Sequence, residues 1–225
     1  MNTRAPFRRF TAVLIVATAI MLLTTIYPAI TPYSPPPTRG LPAMSPPHLS
    51  ATVPTIARLA SRPSLPGYER DEFLTTWAPS ATPGCTVRDV MVYNSLPEAQ
   101  VRQSSDCTIS GGHSRDPYSG EPITADSELE LDHVIPLSAA WDLGAAAWPA
   151  SRRRQFANDP LNLILASQRE NQAKSDQLPS QWMPSNRRAH CWYARRVAAV
   201  AAAYELPLPA ADLSTMRRAC LLKEL

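Results

Sequence analysis

Glu128-Leu129-Glu130-Leu131-Asp132-His133-Val134-Ile135-Pro136-Leu137 is the stretch on which the reading of this chain turns. Apolar and polar residues alternate along it, the two-residue period of a half-buried strand. Pro136 cannot donate to a ladder, so the strand is expected to end there. Downstream, Asn158-Asp159-Pro160 breaks the chain, and Leu161 to Ala166 reads as a second short apolar strand. Ser167 suits the N-cap of a helix running through Lys174, with Glu170 at the N3 position of a capping box. Helices are expected between the strands, from Ser138 to about Trp148 and from Pro149 to Ala157, Pro149 suiting an early helical position. The central unit is thus strand, long insertion, strand, helix. Further helices are expected over roughly Arg187–Tyr204 and Pro209–Leu222. On the upstream side, Tyr68 to Phe73 begins like a helix, and Val87 to Leu96 suits a short helix or strand. Cys107 to Ser119 carries the turn signals Gly111-Gly112 and Asp116-Pro117.

Four polar residues mark this unit: Asp132 and His133 at the end of the first strand, Asn162 at the start of the second, and Asn171 on the helix. Phosphodiester hydrolysis needs an activated water, a cation on the scissile phosphate and charge relief for the leaving oxygen. A histidine is a suitable base near neutral pH. A hard divalent cation prefers oxygen ligands, which Asp and Asn supply. Adjacent strand residues face opposite sides, so Asp132 and His133 share a cleft only where the strand twists or ends. Taken alone, His133 has a bland competing reading as a structural histidine. Glu130 shares strand phase with Asp132 and either adds a carboxylate or is simply solvated. Trp141, Trp148 and Trp182 are candidates for base stacking, but their helical or turn contexts favour core packing. His48 and His190 read as incidental.

The order and spacing of these residues resemble the HNH endonuclease motif. The resemblance rests on Leu131-Asp132-His133-Val134-Ile135-Pro136-Leu137, then Asn162-Leu163-Ile164-Leu165, then Asn171-Gln172-Ala173-Lys174-Ser175-Asp176. This is the D-H…N…N variant, similar to the HNH domain of RNA-guided CRISPR nucleases. More widely, Tyr68 to Cys220 resembles a family of exported bacterial HNH proteins. The shared elements are Gly84-Cys85-Thr86 followed by Arg88, Ala140-Trp141 to Trp148, Phe156 to Asp159, and Trp182 to Pro184. The resemblance implies an α+β fold with a ββα-metal core decorated by helices. It implies His133 as the general base, and Asp132 and Asn171 holding a divalent metal, Mg²⁺ or Mn²⁺. Asn162 would brace the loop and orient the imidazole through a backbone contact, and Lys174 would contact phosphate. The substrate would be a nucleic acid, DNA ahead of RNA, with no obligate protein partner. Two positions depart from the pattern. Asn171 stands where His is common, and His113 lies in a Gly-rich turn where relatives often carry an aromatic. The rival reading is a non-catalytic exported binding or envelope protein that keeps the scaffold.

The rest of the chain sets compartment and boundaries. Arg4, Arg8 and Arg9 precede an uncharged apolar run from Thr11 to about Ile30, the pattern of an export signal. The run is also long enough to span a bilayer, so cleaved secretion and an uncleaved anchor both stand. Both place the remainder outside the cytoplasmic membrane. Residues 31–66, with Pro35-Pro36-Pro37 and Pro46-Pro47, are expected to be an extended, solvated linker, leaving 67–225 as the folded domain. Cys85, Cys107, Cys191 and Cys220 form no C-x-x-C, and an even count in an exported chain reads as two disulfides. Of three possible pairings, the local one, Cys85–Cys107 and Cys191–Cys220, staples each flank and leaves the middle free. The formal charge of +3 points to no polyanion partner. All 19 acidic residues lie from Glu69 onward, where 14 Arg and two Lys lie, so this part is net negative. Local clusters such as Arg152 to Arg154, Arg187–Arg188, Arg195–Arg196 and Arg217–Arg218 read first as solvated helix faces.

Overall fold

In the computed structural model, the described residues are 13–21, 33–36, 38–39, 46–102 and 107–221. Their helices are α1 (13–21), α2 (Leu49–Thr52), α3 (Val87–Ser95), α4 (Leu137–Asp142), α5 (Ala150–Asn158), α6 (Gln168–Lys174), α7 (His190–Tyr204) and α8 (Ala210–Cys220). The strands are β1 (Arg58–Leu59), β2 (Gln100–Arg102), β3 (Thr108–Ser110), β4 (His113–Arg115), β5 (Pro122–Thr124), β6 (Leu129–His133), β7 (Leu163–Ser167) and β8 (Leu208–Pro209). They pair two by two as β1–β8, β2–β3, β4–β5 and β6–β7. The α+β expectation holds, with both expected disulfides formed.

The strand–strand–helix unit organises the molecule. β6 and β7 run antiparallel with Leu131 opposite Leu165, Asp132 opposite Ile164 and His133 opposite Leu163. Alternation sorts their side chains. Leu131, Leu163 and Leu165 join Met91 of α3 and Leu96 just after it in a small core. Ile164 and Ala166 enter the large core with Phe156, Tyr193 and Val197. α6 packs across both strands, capped at its N-terminus by the Ser167 side chain, which accepts from Glu170 N.

Several boundaries differ from expectation for identifiable reasons. β6 stops at His133 rather than Pro136 because its partner runs out. Val134 N donates to Asn162 O at 2.8 Å, and the chain then bends through a 3-10 turn, Pro160–Asn162. Val87–Ser95 is a helix because Thr86 and Asp89 form a reciprocal capping box. Tyr68–Phe73 yields only a 3-10 turn, Arg70–Glu72. The turn ends as Phe73 and Leu74 enter the core, where both are buried.

The Pro-rich segment is not solvated throughout. Leu49, Val53 and Ile56 are buried in the large core, β1 pairs with β8, and Arg62 bridges Asp142 at 2.7 Å. Further upstream, Tyr33 donates its hydroxyl to Pro117 O at 3.1 Å and packs on Trp192. The packed body therefore extends N-terminally of Gly67. The physical cause is apolar spacing at i, i+4 and i+7 around Pro54, which is a helical stripe in a proline-rich setting. Most of the expected leader over 1–30 lies outside the described residues. Among those described, no helix is long and apolar enough to cross a membrane.

Candidate active site

β6 delivers its two central polar residues to opposite faces. Glu130 and Asp132 point toward α6, where Asn171 and Lys174, three residues apart, share one helical face. Two rungs result. Asn171 Nδ2 donates to Glu130 Oε2 at 2.6 Å, and Lys174 Nζ donates to Asp132 Oδ1 at 2.9 Å. Gln168 Nε2 also donates to Glu130, at 3.1 Å. The second Asp132 oxygen accepts from the Tyr118 hydroxyl at 2.6 Å. Burial holds the Asp132 carboxyl above the usual range although Lys174 and Tyr118 both pull it down. Burial, then the Asp132 charge, pushes the Tyr118 phenol up.

His133 faces the other way, between α5 and the 70–78 loop. Its Nε2 makes a 2.8 Å hydrogen bond with Ala157 O. A carbonyl only accepts, so Nε2 carries the proton and the Nδ1 lone pair is left available. Trp77 lies parallel to the ring, 9° off with centroids 5.8 Å apart. Burial lowers the imidazole pKa to about 3, with the Arg70 and Lys174 charges pushing in the same direction. His133 is therefore a neutral imidazole at neutral pH, held in one tautomer.

Asn162 is fully buried. Its Oδ1 accepts from Ile135 N at 2.9 Å and its Nδ2 donates to Ile135 O at 3.3 Å. It clamps the loop just after His133, while the imidazole contact belongs to Ala157 and not to Asn162. The bend carrying Asn162 is itself held by Arg196, a buried guanidinium on α7 that donates to the carbonyls of Pro160, Leu161 and Leu163. Burial lowers the Arg196 pKa to about 10.

Two expected contacts are not made in this arrangement. Lys174 has no exposed surface and spends its ammonium on Asp132 and on His133 O at 2.7 Å, so it does not offer a cation to a phosphate. Asp132 and Asn171 do not face one another as a bare ligand pair, since each is hydrogen-bonded to a different neighbour. Among the described residues no three His, Cys, Asp or Glu side chains cluster as a metal site. The donor set nevertheless fits a hard cation in kind. The carboxylates of Glu130 and Asp132 lie on the α6 side of β6, the Asn171 side-chain amide meets Glu130 there, and the half-buried Glu130–Asn171 rung is the accessible end.

Other expectations are placed plainly. Trp141, Trp148 and Trp182 pack against the large core. His113 is exposed beside Glu98 at 3.4 Å. His48 Nδ1 meets Arg195, and His190 Nε2 meets Pro184 O. Sequence reading passed over Tyr118, Trp77 and Arg70, which have no strand or helix phase linking them to Asp132 or His133.

Residues 88–204 match the C-terminal domain of the GmrSD restriction endonucleases. The chain belongs to that family. A protein of Arthroderma benhamiae described as an uncharacterized secreted protein is 36% identical over 182 residues, covering 78% of this chain and 87% of that one. No solved structure matches. Membership in the GmrSD C-terminal domain family ties the chain to nuclease-type proteins, and β6, β7 and α6 all lie within the matched span.

Proposed function

We propose that this chain is an exported, metal-dependent endonuclease of the HNH type that hydrolyses phosphodiester bonds in DNA, with RNA as the second substrate class. The observation that carries this reading is the neutral His133 imidazole, fixed through Nε2 by Ala157 with Nδ1 left as the base. Nδ1 takes a proton from water as that oxygen bonds phosphorus, and the P–O bond to the leaving oxygen breaks. Asn162 keeps the Val134–Ile135 loop from moving the ring. Asp132 and Asn171, with Glu130 beside them, are the residues that would hold Mg²⁺ or Mn²⁺. A cation bound there, on the α6 side of β6, would supply charge relief to a scissile phosphate lying across the end of the strand, where both faces can be reached. Export accords with the two disulfides and with the secreted relative. In this reading residues 1–30 are the leader or anchor and 67–225 the nuclease domain, with part of the 31–66 segment docked on that domain.

One observation favours the non-catalytic rival. Asp132 is already neutralised by a buried lysine, with both carboxylate oxygens satisfied. A plasmid-nicking assay with and without chelator separates the two readings. His133→Ala is expected to lower the nicking rate by about 10²–10⁴-fold while leaving Mn²⁺ binding by calorimetry unchanged. Nicking that ignores chelator, or a wild-type rate in His133→Ala, overturns the mechanism.

A further inference from the structure

A groove of about 900 Å³ opens where the upstream segment meets the β4–β5 hairpin. Tyr33, Pro35 and Pro36 line it from that segment and Pro122 from β5, which makes part of its surface apolar. Arg115 of β4, Asn186 and Arg188 also line it. No Asp or Glu stands among the described residues that do so, although the chain from Glu69 onward is net negative. Three carboxylates belong to neighbouring positions. Glu98 answers His113, a further lining residue, at 3.4 Å. Asp116 is buried and accepts from Tyr118 N and the Ser167 hydroxyl. Glu121 is exposed between the lining residues Gly120 and Pro122.

Both arginines stand on fixed frames. Arg115 lies opposite Pro122 in the β4–β5 ladder, and its Nη1 donates to Gly120 O at 2.9 Å. That single bond leaves most of its guanidinium donors for a ligand. Arg188 belongs to the 3-10 turn Arg187–Ala189, whose N-cap Asn186 accepts from Arg188 N at 3.1 Å. Gly120 has φ +80°, and a Cβ there would lie 3.0 Å from Asn186 Nδ2, so the two frames are in close contact. Asn186 N also donates to Tyr118 O at 2.8 Å, and the Tyr118 hydroxyl holds Asp132. One residue thus links the groove to the α6 side of β6.

We propose that this groove binds a single nucleic-acid strand leading away from the candidate centre, with Arg115 and Arg188 on its phosphates and its bases against Tyr33 and Pro36. The planar donors of arginine match phosphate oxygens. A bare inorganic anion would leave the apolar wall unused, and an apolar peptide would leave the cations unanswered. Base faces reach such a wall only where they are unpaired, which selects a single strand over a duplex. With the chain from Glu69 onward net negative, attraction for a polyanion must be local, as it is here.

The ligand class rests on the nuclease reading, and the experiment separates the two. Binding of a labelled single-stranded oligodeoxynucleotide to the full chain is measured in chelator as a function of salt. Wild type is compared with Arg115→Gln, Arg188→Gln, the double variant and Thr124→Glu. Thr124 is an exposed lining residue, so Thr124→Glu sets a carboxylate in the groove while both arginines stay. Each arginine variant should lower the slope of log affinity against log salt by about 0.7, one phosphate contact on a single strand. Thr124→Glu should weaken binding with an unchanged melting temperature, and this result stands even where an arginine variant fails to fold. In cleavage, the double variant should lose through KM rather than kcat. Unchanged salt slopes in both arginine variants, or unchanged affinity in Thr124→Glu, overturn the groove. Heparin binding that needs the two arginines, beside oligonucleotide binding that does not, overturns it as well. Oligonucleotide binding with the expected slopes, by a chain that cleaves neither DNA nor RNA, keeps the groove and overturns the nuclease reading alone.

Discussion

At the scale of single residues, the chemistry of this chain depends on which way two neighbours point. Asp132 turns to α6 and His133 to α5, and this opposition follows from strand alternation continuing to the last paired residue. Burial keeps His133 neutral, with a pKa of about 3 against an ordinary 6.5. The sign of the resulting pH dependence is fixed. Above pH 6.5 the ring is neutral in folded and unfolded chains alike, so its contribution to stability is complete. Between 6.5 and about 3 the unfolded chain takes up a proton that the folded chain refuses, and stability falls as pH drops. Denaturant unfolding in chelator should show wild type losing up to about 1.4 kcal/mol per pH unit more steeply than His133→Ala across this window. Parallel pH profiles for the two proteins would show that the ring is not buried neutral. Order and spacing single out Asp132, His133, Asn162 and Asn171 as the candidate site residues. Their partners could not be read this way, because Tyr118, Ala157 and Trp77 reach the site through tertiary packing, which leaves no period in the sequence.

At the scale of elements, β6 and α6 are joined by two side-chain rungs, Glu130–Asn171 and Asp132–Lys174. The second is buried, and removing one partner of a buried pair strands the other charge. Lys174→Met should therefore destabilise by about 3–5 kcal/mol. The double variant Asp132→Asn with Lys174→Met should cost less than the two single changes added together. Urea unfolding of the four proteins measures this coupling, and additivity would mean the pair is not formed in solution. Element identity was read well wherever two signals agreed, as at α6, where the Ser167 cap and Glu170 at N3 coincide. It was left open at Val87–Ser95 because the capping box there uses Asp89 in place of the usual Glu or Gln. It was misread at Tyr68–Phe73, where the pull of Phe73 and Leu74 into the core overrides local helical preference.

At the scale of the whole molecule, the body is held by two cores and by a covalent staple at each flank. Cys85–Cys107 ties the segment before α3 to the start of β3, and Cys191–Cys220 joins the first turn of α7 to the last of α8. Replacing either pair by serines should lower stability by about 2–4 kcal/mol, read as a shift of the thermal midpoint. A midpoint unmoved by reductant would contradict this. The staples were legible because cysteine count and compartment restrict the pairings. The docking of Leu49, Val53 and Ile56 was not, since the surrounding prolines masked their stripe.

The two staples are also a clock. Their partners lie 22 and 29 residues apart, and neither closed loop contains Asp132, His133 or α6. In a chain threaded outward N-terminus first, both sulfurs of the first bridge emerge before Asp132 does. The second bridge must wait for α8. A chain halted between the two events carries one sealed knot and one naked thiol, at Cys191. That thiol separates an unfinished molecule from a finished one, and a thiol-specific label reads the difference.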